Sequence, residues 1–187
     1  MTNTFSDKVW WTRKAKIKAE RRLLNLDYYS QFLLLWYSSF LVCYSIYSLV
    51  KPPSNNNEPV IMVALSVLIL VLTLFINNMN YKGRAMLIKQ CYEKLSVIHT
   101  SSLSCEAFVE LDKDYQSVLA VSENHLERDF IKAIVDEYSN SSDKTLLTKI
   151  PSCWHRIQIC FYIIRNVAIF SSLFVFPFVI LLVLRGA

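Results

Sequence analysis

NVAIFSSLFVFPFVILLVL, residues 166–184, is a run of nineteen residues without a charge. A helix needs about 20 apolar residues to cross about 30 Å of hydrocarbon. Two further runs meet the same requirement: YYSQFLLLWYSSFLVCYSIYSLV, residues 28–50, and VIMVALSVLILVLTLFI, residues 60–76. A soluble domain of 187 residues rarely devotes so much chain to unbroken apolar runs, and the 53% hydrophobic content and mean hydropathy of +0.31 agree. The chain reads as a membrane protein.

The remainder is a basic N-terminal arm and a polar segment from Asn77 to about Gln158, enough for one small domain. Only Gly83 and Gly186 are glycines, which argues against turn-rich β structure and against phosphate-cradling loops. The expected fold is an all-α membrane protein. Residues 1–27 form a basic cytoplasmic helix, residues 28–77 a transmembrane hairpin with spans 28–50 and 59–77, residues 78–158 a cytoplasmic helical region, and residues 159–187 a C-terminal transmembrane helix. KPPSNNNEP, residues 51–59, is the hairpin turn, its prolines ending one helix and starting the next.

The net charge of +5 is concentrated in the arm, where Lys8, Arg13, Lys14, Lys16, Lys18, Arg21 and Arg22 face only Asp7, Glu20 and Asp27. Lys82, Arg84, Lys89 and Lys94 follow the second span. The positive-inside rule then puts the arm and the middle segment in the cytoplasm and Ala187 outside, in the inner (cell) membrane. A position beside a span accounts for the arm's charge without nucleic acid as a direct partner. No cleavable leader is visible, so the first span is expected to act as its own insertion signal. The five cysteines, Cys43, Cys91, Cys105, Cys153 and Cys160, form no CxxC pair and are expected as free thiols.

Periodicity organises the rest. Trp10, Ile17 and Leu24 lie on one side of the arm helix and Trp11, Ala15, Ala19 and Leu26 on the other, so the arm should have neighbours on two sides. Tyr81, Ala85, Ile88, Tyr92 and Leu95 alternate by four and three, a helix-packing seam that could continue the second span's helix. His99 to Ser104 should break it. Phe108, Leu111, Tyr115 and Val118 form a second seam, and Ser122 is expected to start a helix carrying Leu126, Phe130, Ile134 and Tyr138, with a linker at Ser139 to Asp143.

Gln31, Ser38 and Ser45 recur every seven residues along the first span, and Ser66 and Thr73 do so along the second. Such a stripe is either hydrogen-bonding glue between helices or the lining of a wet path. Pro177 is a tolerated bend or a gate hinge. Arg165 either snorkels to the headgroups or serves a pore or a voltage sensor.

Catalytic machinery is not evident. His125 and Asp129 with Glu123 are too few for a metal site, His99 and His155 have no ligand spacing, and no Gly-x-Ser-x-Gly, Walker loop or HExxH occurs. Neither an enzyme nor a cofactor is expected. Glu123, Asn124, His125 and Asp129, following Tyr115, either fix a helix crossing by side-chain hydrogen bonds or bind an activating signal.

Trp10-Trp11-Thr12, Ala19-Glu20-Arg21-Arg22-Leu23, the two-span hairpin and the Glu123-Asn124-His125 pattern with Asp129 together resemble the SLATT family of two-transmembrane effector domains. The Glu-Asn-His signature most resembles the subgroup that accompanies reverse transcriptases. The resemblance implies a role in prokaryotic antiviral conflict systems, as a homo-oligomeric, pore-forming effector causing growth arrest or cell death. It implies as partners the lipid bilayer and a defence-system component such as a reverse transcriptase or a nucleotide second messenger. A non-conducting scaffold that anchors a soluble enzyme is the alternative. The third span exceeds the family's two-span description.

Overall fold

The computed structural model describes residues 2–51, 57–104 and 108–186. The turn residues Pro52 to Asn56, Cys105 and the terminal Ala187 lie outside the described residues. The helices are α1 (Thr2–Val50), α2 (Asn57–Asn78), α3 (Tyr81–Ser104), α4 (Phe108–Ala120), α5 (Glu127–Asn140) and α6 (Cys153–Gly186), with a 3-10 turn at Lys144–Leu146. No strand occurs among the described residues, and three helices are long and apolar enough to cross a membrane. The chain is an all-α membrane protein.

Four boundaries differ from the sequence reading. Helix α2 does not run on into α3: Met79 and Asn80 interrupt it, and Asn80 adopts a φ of 44°. Asparagine tolerates that left-handed geometry better than most residues do. Helix α3 continues through His99 to Ser104 instead of breaking at His99, and the Thr100 hydroxyl donates to the Ser96 carbonyl inside it. Ser122 does not start a helix, because Ser122 to Leu126 is irregular and α5 begins at Glu127. There Asp129 Oδ2 accepts the Leu126 amide at 3.1 Å, the carboxylate half of a capping box. Finally, α5 reaches Asn140, past the expected linker start at Ser139.

The chain divides into two compact units, residues 1–26 with 81–163, and residues 27–80 with 164–187. In the first unit the arm packs on α3 through two apolar clusters. Phe5 and Val9 meet Cys91, Leu95, Ile98, Tyr115 and Val118, whereas Ala19 and Leu23 meet Ala85 and Ile88. Low numbers on α1 pair with high numbers on α3, so the two helices are antiparallel. The seam from Tyr81 to Leu95 is thus covered within the chain, with Ile88 and Leu95 fully buried and Tyr81 and Tyr92 partly so. Trp11, on the side that carries Ala19, is buried too, and its Nε1 donates to Thr148 Oγ1 at 2.7 Å while Thr148 donates to Asp7; Trp10 and Ile17, on the opposite side, are only partly buried. Leu24 and Leu26 remain exposed.

In the second unit an aromatic ladder joins α1 to α6. Tyr29 lies 5.0 Å from Phe170, Trp36 stacks on Phe174 at 4.4 Å, and Phe40 meets Phe178 edge-on at 5.9 Å. The numbers rise together, so the two helices are parallel there, as a first and a third span would be. Helix α2 closes against this pair at an apolar crevice lined by Tyr37, Phe40, Leu65, Ile69 and Pro177.

Candidate functional site

The signature residues converge on the arm. Tyr115, on α4, is buried with its hydroxyl 3.0 Å from Thr12 Oγ1 and with the Lys8 ammonium 4.9 Å above its ring. One turn further along α1, Lys16 is completely buried, and its ammonium donates to Ser122 Oγ at 3.0 Å and to the Glu123 carbonyl at 2.6 Å. Glu123 turns its carboxylate to Arg84 of α3, which donates from Nε at 3.1 Å and from its terminal amino group. Asp129 is buried, accepting Arg22 Nε on both oxygens at 3.1 Å. Asn124 is exposed and only accepts the His125 amide. His125 lies on the irregular segment, not on a helix with Asp129, so the two do not share a helix face.

A lysine taken out of water loses hydration that its partners must replace. Burial therefore lowers the Lys16 pKa, against an opposing pull from Cys91 and Glu123. His125 is also lowered, by burial first and then by the Lys16 charge, with Asp129 pulling the other way. Its Nδ1 is buried with no hydrogen-bond partner. Tyr92, beside the same arm, is pushed up to about 12 by burial and by its hydrogen bond to Glu20.

Three cations on one face of α1 face α5. Lys14 reaches Glu137 at 2.8 Å, Lys18 reaches Asp136 at 2.6 Å, and Arg22 holds Asp129. The four-residue spacing of Lys14, Lys18 and Arg22 puts them one above another on the helix. That spacing was the available signal, although proximity to a span accounted for the same charges and hid it. Among the described residues no group of three metal-ligating side chains occurs.

The polar stripe belongs to the second unit. Ser38 and Ser45 donate to the carbonyls of Leu34 and Leu41, Ser66 to that of Val63, Thr73 to that of Ile69, and Gln31 to the Asp27 carboxylate. Each bond stays on its own helix, and all of these residues except half-buried Thr73 are exposed in the single chain. Arg165 is exposed on α6. Pro177 is fully buried, and the carbonyls near it are held by α1: Tyr37 donates to Leu173 at 2.7 Å and Trp36 Nε1 to Phe174 at 3.1 Å.

A family model described as SMODS and SLOG-associating 2TM effector domain family 5 matches residues 2–183, so the match takes in all three apolar helices although the description counts two. No curated protein and no solved structure matches the chain. The chain belongs to the SMODS and SLOG-associating 2TM (SLATT) effector domain family 5, a family of membrane effectors associated with conflict systems and not a known enzyme family.

Proposed function

We propose that this protein is the membrane-acting component of a prokaryotic antiviral defence system, and that it oligomerises to open a pore or disrupt the cell membrane when its first unit is triggered. Growth arrest or death of the cell follows. The observation that carries the reading, beside family membership, is the bareness of the spans: almost none of the most apolar stretch of each is buried within one chain, and none of that of α2. The exposed faces include the stripe of Gln31, Ser38, Ser45 and Ser66. Lipid covers apolar side chains without loss, but a row of polar oxygens gains from a wet or polar neighbour, which further copies supply.

The arm and residues 81–163 face the cytoplasm in this reading, on the Lys/Arg bias around the first two spans. Glu123-Asn124-His125 supports membership of the reverse-transcriptase-associated subgroup, so a reverse transcriptase or a nucleotide second messenger is the proposed trigger. Direct nucleic-acid binding is disfavoured, since Lys14, Lys18 and Arg22 are already engaged by carboxylates.

A scaffold that anchors a soluble enzyme is the second reading. It is favoured by the stripe hydroxyls, which each have a carbonyl partner on their own helix and so require no lumen. Ion flux separates the two. Ser38→Leu with Ser45→Leu should keep the oligomer but lower flux across vesicles or cells by about tenfold, because a hydrophobic ring dewets a narrow path. Undiminished flux removes the stripe as a lining, and no flux from the active wild type leaves the scaffold.

A further inference from the structure

Helix α5 is attached to the first unit in a different way from the other helices. Both apolar clusters are built from α1, α3 and α4 alone, and α5 contributes to neither. Irregular chain flanks it at Ser122 to Leu126 and again from Ser141, where only a single 3-10 turn intervenes before α6. Its bonds to the arm are ionic: Lys14 to Glu137, Lys18 to Asp136 and Arg22 to Asp129. The segment before it is held by the Lys16 ammonium, which donates to the Ser122 hydroxyl and the Glu123 carbonyl, and by the Arg84–Glu123 ion pair.

We propose that residues 122–140 are a charge-held strap that detaches from the α1–α3–α4 core as one unit, and that its detachment is the event that activates the effector. The Lys14–Glu137 and Lys18–Asp136 pairs are partly exposed, so each is individually weak and screened by salt, whereas Arg22–Asp129 and the buried Lys16 hold more firmly and let go only when residues 122–140 leave together. Helix α5 buries three apolar residues, Ile131, Ala133 and Ile134, and sets Phe130 edge-on to Trp11 at 6.4 Å, against five buried among the described residues of α3, Ala85, Ile88, Cys91, Leu95 and Ile98. Release exposes Lys16, whose partners Ser122 and Glu123 leave with the strap. A regulator that binds either face of the ladder, anionic against α1 or cationic against α5, would displace it. The activating half of this inference rests on the effector reading above.

The test uses the full chain in detergent or nanodiscs and follows amide hydrogen exchange. In Asp136→Lys with Glu137→Lys, α5 amides should exchange about tenfold faster or more, while α1, α3 and α4 keep their protection. Adding Lys14→Glu and Lys18→Glu restores opposite charges across the ladder and should restore α5 protection. Raising salt should speed exchange of α5 in the wild type and leave the other helices unchanged. Unchanged exchange in the Lys variant, or equal loss across all helices with no rescue by the swap, overturns the strap. Membrane potential in cells producing the same variants reads the second half. Depolarisation by the opened variant, reversed by the swap, supports activation; an opened strap with a silent membrane overturns detachment as the activating event and leaves the strap itself standing.

Discussion

The Tyr37 hydroxyl donates to the Leu173 carbonyl, the group left without its helical amide because residue 177 is proline. An unpaired carbonyl in a hydrocarbon setting is costly, so Tyr37 does the work of the missing N–H. Trp36 reinforces the join at the next carbonyl while its ring stacks on Phe174. The proline in α6 and the packing of α1 are therefore one feature of the second unit.

Tyr37→Phe should destabilise the second unit by about 1 kcal/mol, near the middle of the range for hydrogen bonds within membranes. In a chain of this size that corresponds to about 2–4 °C in Tm. Pro177→Ala returns an amide to Leu173, so the same Tyr37→Phe change should cost about half as much or less in that background. Thermal unfolding of the four proteins in one detergent measures the coupling. Equal costs in both backgrounds would show that the Tyr37 bond has nothing to do with the proline.

Ile88 is fully buried against Ala19, Leu23 and Ala85. Ile88→Glu puts a carboxylate where no donor awaits it, a loss of several kcal/mol that exceeds what a small helical unit can absorb. Circular dichroism should show lost helix, and limited proteolysis should cut residues 81–163, whereas Lys89→Glu, on the exposed side, leaves both unchanged. Retained helix and resistance in Ile88→Glu would mean that the packing of α1 on α3 is not what holds this unit.

These sites also show what the sequence disclosed. The spans and the Tyr81 to Leu95 seam were legible because each is a local period, and local periods survive without knowledge of the partner. The partner was not legible: the arm residues that pack on α3 lie more than 60 residues from their partners there, as Leu23 does from Ala85, and seam spacing alone allows a neighbour from the same or another chain. The ladder was missed for a related reason, since Lys14 and Glu137 are 123 residues apart and a basic arm beside a span already had an explanation. The apolar spacing of Leu126, Phe130, Ile134 and Tyr138 does not mark where their helix begins: Lys16 holds the Ser122 hydroxyl, and Asp129 makes the cap at Leu126 instead. Pro177 was visible, but Tyr37 and Trp36 as its partners were not, since nothing in their place midway along the first span points to carbonyls more than 130 residues further on.

The last prediction concerns pH. His125 feels both the Lys16 ammonium and the Asp129 carboxylate, and burial with the lysine's charge lowers its pKa below the usual 6.5. The open segment, with His125 in water, binds a proton more readily than the closed one does. Closure is therefore at its full strength above about 6.5 and weakens as pH falls from there toward the lowered pKa, where the loss is complete. Exchange of α5 amides, corrected for the intrinsic pH dependence of exchange, should accelerate as pH falls below about 6.5. His99 is lowered as well, by burial and by Arg13, so His99→Gln is the needed control and should keep the α5 response. His125→Gln should flatten it. Lys16→Met removes the second cause of the shift and should bring the His125 titration, read by its ring proton resonances, part of the way back toward 6.5, with burial holding it below. If His125→Gln keeps the full pH response, acid acts elsewhere on the strap; if Lys16→Met leaves the titration where it was, the lysine's charge does not reach the imidazole, and burial alone sets its pKa.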